Sequence, residues 1–382
     1  MKIAIMGFGT VGSGCYEAVQ AAGDIEVKRV LDLRTNPQIE DILTSDINDI
    51  LNDEEITLVA ECMGGIHPAY EFVMQALEHG KHVVTPNKNL VSACYDDLMA
   101  CAAEHGVEFR FTPAAGGGIP WLYNLQRQKR CDRILEVHGI VNGTCNYILD
   151  HMYTNGADFD EVLKEAQALG YAERDPSSDI EGSDTQRKCV LSSNLAYGTR
   201  IHESDVPTLG ISSILACDIE VLKEQGKVCR LLMNSGVVGD KLYAYVEPTV
   251  FTKDALEANV KTNFNLITLT GQNVGTLSFY GQGAGKMPTG TSLAQDIIDI
   301  RDGIGFAPAA ADAAPAEVDN AAVAHRYFIR ACESCAPDLA DVTECRTQRD
   351  GWIYIITRPV SVPFAHAFAK DHPKAFVAGI AE

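Results

Sequence analysis

The sequence has no apolar run of about 18 residues, so a membrane-spanning helix is not expected. It also lacks the charged, apolar and small-residue succession of an export signal: Met1-Lys2-Ile3-Ala4-Ile5-Met6-Gly7 leads directly into a strand-like run, and the mature chain is expected to start at Met1. Basic residues are scarce. Lys and Arg total 31 against 52 Asp and Glu, a formal charge of -21 that repels nucleic-acid backbones and anionic membrane surfaces. The 12 cysteines are mostly scattered singly, as at Cys15, Cys62, Cys94, Cys189 and Cys229, where a thiol acts as a small hydrophobe in a reducing compartment such as the cytoplasm. Cys332 and Cys335 form a Cys-x-x-Cys pair, but without a second pair or a nearby histidine set it is a weak metal signal. There is no internal repeat.

With 46% hydrophobic and 22% charged residues over 382 positions, the composition is that of a folded protein of two or three domains. Residues 2–6 predict a buried strand, the stretch to Ala22 a helix, and Ile25 to Asp32 a second strand. Further strands are expected at 56–61, 82–85 and 107–111, with helices at 68–79 and 92–105 between them. This alternation implies a doubly wound parallel sheet. A glycine-rich stretch, 112–120, marks a junction. Beyond it a strand is expected at 133–141, helices at 159–169 and 184–197, and mostly strands from 228 to 280. The alanine- and proline-rich segment 304–323 reads as a linker into a small C-terminal piece, with strands around 327–332 and 352–358 and a helix around 364–370. The resulting division is a dinucleotide-binding domain over 1–130 with a returning helix near 288–303, an α+β substrate-binding and dimerisation domain over 131–287, and a linker and C-terminal region over 304–382.

Gly7-Phe8-Gly9-Thr10-Val11-Gly12 lies where the first strand ends and the first helix begins. In a dinucleotide fold the first glycine allows the turn, the second lets the backbone approach the pyrophosphate, and the third lets helix and strand pack closely. Asp32 ends the second strand, where a carboxylate accepts hydrogen bonds from the adenosine ribose. Arg34 could instead pair with a 2′-phosphate, so NAD and NADP both stay open, with Asp32 favouring acceptance of NAD.

The most informative stretch runs from Gly170-Tyr171-Ala172-Glu173-Arg174-Asp175-Pro176 to Asp184-Thr185-Gln186-Arg187-Lys188. Asp184 and Lys188 are four apart and share a helix face; a surface ion pair alone would have the same spacing. These residues resemble the signature of homoserine dehydrogenases. Other blocks of that family stand in order: Gly64-Gly65, Pro86-Asn87-Lys88, Gly139-Ile140-Val141-Asn142-Gly143-Thr144-Cys145-Asn146-Tyr147, and Gly281-Gln282-Gly283-Ala284-Gly285 before Met287-Pro288-Thr289.

The resemblance implies a Rossmann-type N-terminal domain and hydride transfer between NAD(P) and L-homoserine or L-aspartate 4-semialdehyde. It implies Lys188 as proton donor to the reacting oxygen, Lys88 as a second lysine near it, and Glu173 and Asp184 as partners of the substrate ammonium. Gly64, Gly170 and Gly285 are implied as backbone approaches to the cofactor. Members of the family often hold sodium; the carbonyl positions correspond to Ala115, Gly117 and Ile119, but Thr112 stands where a glutamate is expected, which leaves a plain loop as the alternative. The 58 residues from His325 fall short of the regulatory ACT domain of many relatives and suggest a truncated or divergent one. Two other readings remain: another amino-acid or semialdehyde dehydrogenase, and a silent nucleotide-sensing subunit, which would have no need of a proton donor. A homodimer or higher homo-oligomer is expected through the strand-rich second domain.

Overall fold

The computed structural model describes residues 1–306 and 316–381. Part of the expected linker, 307–315, lies outside the described residues. The chain divides into two compact units, one of residues 1–131, 194–200 and 281–314, the other of 132–193, 201–280 and 315–382.

In the first unit, β1 (Lys2–Met6), β2 (Glu26–Leu31), β3 (Leu43–Thr44), β4 (Ile56–Glu61), β5 (His82–Val84) and β6 (Phe109–Arg110) form one sheet in the order β3-β2-β1-β4-β5-β6. Every pairing is parallel. Ile3, Ala4, Ile5 and Met6 are fully buried, because a parallel strand with helices over both faces has no solvent side. Strand order reverses between β1 and β4, which opens a crevice beyond their C-terminal ends, where Gly7 and Gly64 lie. The helices of this unit are α1 (Thr10–Ala22), α2 (Asn48–Leu51), α3 (Ala69–Glu78), α4 (Lys88–Glu104) and α5 (Trp121–Lys129).

Helix α4 begins four residues earlier than the hydrophobic pattern suggests. Asn87 accounts for this: its Oδ1 accepts the Leu90 N–H at 3.2 Å, an N-cap that starts the helix at Lys88. Lys88 therefore occupies the first turn of this helix. The expected strand at 107–111 shortens to two residues.

The second unit contains α6 (Gly143–Asn155), α7 (Phe159–Ala168), α8 (Ser177–Ile180), α10 (Ala216–Glu224), α12 (Val362–Asp371) and most of α9 (Ser183–Tyr197). Its sheet combines β7 (Ile134–Ile140), β8 (Lys227–Val238), β9 (Lys241–Thr252), β10 (Phe264–Gly271) and β11 (Gly275–Gln282) with strands from the chain's end. Those are β13 (Tyr327–Ala331), β14 (Thr343–Arg349), β15 (Trp352–Thr357) and β17 (Phe376–Ile380); β12 (Ala324–His325) and β16 (Val360–Ser361) pair separately. The nine strands run in the order β11-β10-β7-β8-β9-β17-β13-β15-β14. Residues 316–381 thus extend the sheet, with β17 parallel to β9. Buried Glu247 of β9 clamps this join: its carboxylate lies 2.8 Å from His325 Nε2 and 3.0 Å from His366 Nε2, and accepts from Tyr327 Oη at 3.2 Å. Cys332 and Cys335 form a disulfide, the Cα atoms brought to 5.4 Å at the turn after β13.

The chain returns to the first unit as α11 (Lys286–Arg301), which crosses α1 at two glycines. A Cβ on Gly14 would fall 2.1 Å from Lys286 O, and one on Gly290 2.3 Å from the Gly14 carbonyl carbon. Leu293, Ala294 and Ile297 complete the core over Ile3, Ile5 and Cys15.

Candidate active site

In the first unit the glycine-rich turn has the geometry its sequence predicts. Gly7 adopts a φ of 92°, and a Cβ there would meet Cys62 O at 2.8 Å. A Cβ on Gly12 would fall 2.0 Å from Gly7 O, so helix and turn touch backbone to backbone. Gly9, in contrast, faces open space: the nearest atom to a Cβ there is the mobile end of Arg34, 3.8 Å away. Helix α1 has no capping side chain and no acid in its first turn, which leaves the N–H groups around Thr10 and Val11 for an anion. Phe8 is buried against Tyr16 and its N–H donates to Asp32 Oδ2 at 2.7 Å. Arg34 donates to the same carboxylate through its backbone N–H at 2.9 Å and its guanidinium at 3.2 Å. Burial opposes the Asp32 charge, but the bonds from Arg34 and Phe8 outweigh it and hold the carboxyl at about 2. Gly7, Gly9, Asp32, Arg34, Cys62 and Met63 line a cleft of about 460 Å³.

A second carboxylate organises the neighbouring loops and was not expected from the sequence. Glu61 ends β4 and is fully buried; its Oε1 accepts from the N–H groups of Met63 at 2.7 Å and Gly64 at 3.2 Å, and its Oε2 from Thr85 Oγ1 at 2.5 Å. Asn87 extends this chain by donating to Gly65 O at 2.7 Å. The loops that carry Gly64 and Lys88 are therefore fixed to each other.

The glycine-rich junction packs against the turn that ends in Gly285. A Cβ on Gly117 would lie 2.2 Å from Gly283 O, and Gly118 N–H donates to Gln282 O at 3.1 Å. Ala115, Gly117 and Ile119 are buried. Thr112 is committed elsewhere: its Oγ1 donates to Asp296 Oδ1 at 2.7 Å and its N–H to Oδ2 at 3.2 Å. Burial pushes the Asp296 carboxyl up to about 7 against these bonds.

In the second unit Asp184 and Lys188 form no surface pair. Both are buried in α9, and Lys188 Nζ donates to Asp184 Oδ2 at 2.7 Å and to Val141 O at 2.6 Å. Asn142 and Asp179, to which no role is assigned from sequence, complete the cluster. Asn142 Nδ2 donates to Asp184 Oδ2 at 2.8 Å and to Asp179 Oδ1 at 2.6 Å. Burial raises the Asp179 carboxyl, the Asn142 bond opposes that, and the Asp184 charge adds to it. Glu173 stands apart, exposed on the loop after α7. That loop turns at Gly170, with a φ of 77°, and is tied down by Thr144 Oγ1, which donates to Tyr171 O at 2.6 Å. The structure thus joins Asp184 and Lys188, adds Asn142 and Asp179, and leaves Glu173 facing solvent.

Two family models cover most of the chain: homoserine dehydrogenase over residues 120–298, and the homoserine dehydrogenase NAD-binding domain over 7–112. The homoserine dehydrogenase of Synechocystis is 40% identical, over 78% of this chain and 73% of its own. The chain belongs to the homoserine dehydrogenase family. The Bacillus subtilis homoserine dehydrogenase is 36% identical over 78% of this chain and 72% of its own. A homoserine dehydrogenase structure from Thiobacillus denitrificans superposes with a TM-score of 0.89 at 31% identity, over 100% of this chain and 98% of that one. The reaction is that of homoserine dehydrogenases, the reversible NAD(P)-dependent interconversion of L-homoserine and L-aspartate 4-semialdehyde, a step of threonine, methionine and isoleucine biosynthesis.

Proposed function

We propose that Lys188 is the proton donor of this homoserine dehydrogenase, on one observation above the others: its ammonium is buried and held from two sides, by a carboxylate and a carbonyl. A buried cation persists only with such partners, and one aimed by two fixed acceptors is pre-positioned for transfer. In the reducing direction Lys188 Nζ gives a proton to the substrate oxygen as that oxygen becomes a hydroxyl; in the oxidising direction it takes the proton back. Glu173 and Asp184 supply negative charge for the substrate ammonium, Glu173 from the loop and Asp184 while also holding Lys188. Lys88, in the first turn of α4, adds positive charge that polarises the same oxygen.

The dinucleotide fits the first unit: Gly9 leaves room for the pyrophosphate, the start of α1 offers donors, and Asp32 offers acceptors to the ribose. When bound, it supplies or accepts the hydride. Gly64 is proposed as a backbone approach to the dinucleotide, and Gly170 and Gly285 as approaches to its nicotinamide end. NAD is accepted, because the ionised Asp32 carboxylate accepts hydrogen bonds from free ribose hydroxyls. Asp32→Ala is expected to weaken NAD binding more than NADP binding in a titration of the quenched protein fluorescence; equal losses would show that Asp32 does not read the ribose.

Sodium does not fit well here. The glutamate expected beside the Ala115, Gly117 and Ile119 carbonyls is Thr112, and its hydroxyl donates to Asp296. We infer that the Thr112–Asp296 bonds anchor the junction loop in the cation's place. Activity in tetramethylammonium buffer should therefore match that in 0.1 M NaCl, to within about twofold; a strong rise on adding sodium would restore the cation.

The enzyme is proposed to self-associate through the edge of the second unit's sheet. No residue of β11 is buried, and Tyr280, 56% exposed, stacks on Phe264 at 5.1 Å. Such an uncovered apolar edge suits a second copy. Light scattering at micromolar concentration should give at least a dimer, and a monomer would end this reading. The ten free thiols, five of them buried, suit the reducing cytoplasm, while the Cys332–Cys335 disulfide is the exception to that composition. No helix among the described residues is long and apolar enough to cross a membrane.

A further inference from the structure

We propose that Asn142 is a positioning residue for the reaction: its amide holds Asp179 and Asp184 side by side and thereby fixes Asp184 as the partner of the Lys188 ammonium. The inference rests on the reading of Lys188 as proton donor.

The Asn142 amide has no freedom of orientation. Its Oδ1 accepts the Cys145 N–H at 2.8 Å and so caps helix α6, which leaves Nδ2 to face the two carboxylates. Asn142 is 3% exposed, so no solvent can take over these bonds. Nδ2 and Lys188 Nζ converge on one atom, Asp184 Oδ2, at 2.8 and 2.7 Å. The second acceptor of Lys188 is the carbonyl of Val141, the residue before Asn142. One short backbone stretch therefore supplies the carbonyl that receives the ammonium and the amide that steers its carboxylate.

The groups around this cluster are Asp179 and Glu181 at the end of α8, Asp184 and Lys188 on α9, and Cys145 on α6. A neutral donor that binds two carboxyls at once holds them together without adding charge. Without it, Asp179 and Asp184 would repel each other, and Asp184 would lose its fixed hold on Lys188.

The test uses the full-length enzyme in the aldehyde-reducing direction. Asn142→Asp keeps the helix cap but removes both donors and adds a negative charge, so kcat should fall at least about tenfold and both limbs of its pH profile should move up by about one unit. Asn142→Ser also keeps a cap but adds no charge; it should move only the acid limb upward, and it serves if the aspartate variant fails to fold. In a Lys188→Ala background, Asn142→Asp should cost no more than about a further twofold, because the two act through one atom. If Lys188→Ala suppresses kcat while the Asn142 variants keep the normal pH profile, or lose as much again in the Lys188→Ala background, Asn142 has no positioning role and the Lys188 reading stands. If Lys188→Ala keeps a normal kcat, the Lys188 reading falls and this inference falls with it.

Discussion

Lys188→Ala is expected to lower kcat by about 10²- to 10⁴-fold, the usual worth of general acid catalysis, with little change in KM for homoserine. The split follows from where the benefit arises. Proton donation matters only as charge develops on the reacting oxygen, so its loss appears in the transition state and not in substrate binding. Dinucleotide affinity should also survive, since Lys188 belongs to the second unit and the fingerprint glycines to the first. The variant leaves buried Asp184 without its cation, though Asn142 still donates to it. Breaking a buried pair commonly costs about 3 to 5 kcal/mol, so thermal unfolding must be followed alongside and kcat read well below the transition. A near-normal kcat in folded Lys188→Ala would move the donor role to Lys88.

The second large effect is expected from Glu173→Gln, and it has the opposite kinetic form. Glu173 is exposed, so its removal should leave stability unchanged. A carboxylate that binds the substrate ammonium does so in ground state and transition state alike, and its loss therefore raises KM with kcat largely kept. Charge-assisted hydrogen bonds are worth about 1.5 to 3 kcal/mol, which corresponds to a rise of roughly 10- to 100-fold. Initial-rate kinetics across homoserine concentrations would show it; an unchanged KM would remove Glu173 from the substrate site.

The first unit was legible because its signals are local. A continuous apolar strand, a glycine spacing and an acid at the next strand's end lie within 32 residues, and the structure brings Gly7, Gly9 and Asp32 to one crevice. The Asp184 and Lys188 pairing was legible from a four-residue helical spacing, but that spacing could not reveal burial. Burial comes from Val141 and Asn142, more than 40 residues away in sequence, and from Asp179. Asn142 has two readable signals, its place in the block from Gly139 to Tyr147 and an amide just ahead of a helical stretch, but neither shows that it binds two carboxylates 37 and 42 residues away. Glu61 had none, since a glutamate at a strand end reads as exposed until three partners close around it. Toward the C-terminus, β14 is not legible because Thr343–Arg349 is an edge strand with no buried residue and hence no apolar alternation.

The most direct measurement is the absorbance at about 340 nm of purified enzyme given L-homoserine with NAD or with NADP. The account predicts a steady rise with homoserine and with at least NAD, lost in Lys188→Ala and restored to high rate only at raised substrate in Glu173→Gln. No rise with homoserine under either dinucleotide, from a folded and self-associated protein, would contradict it.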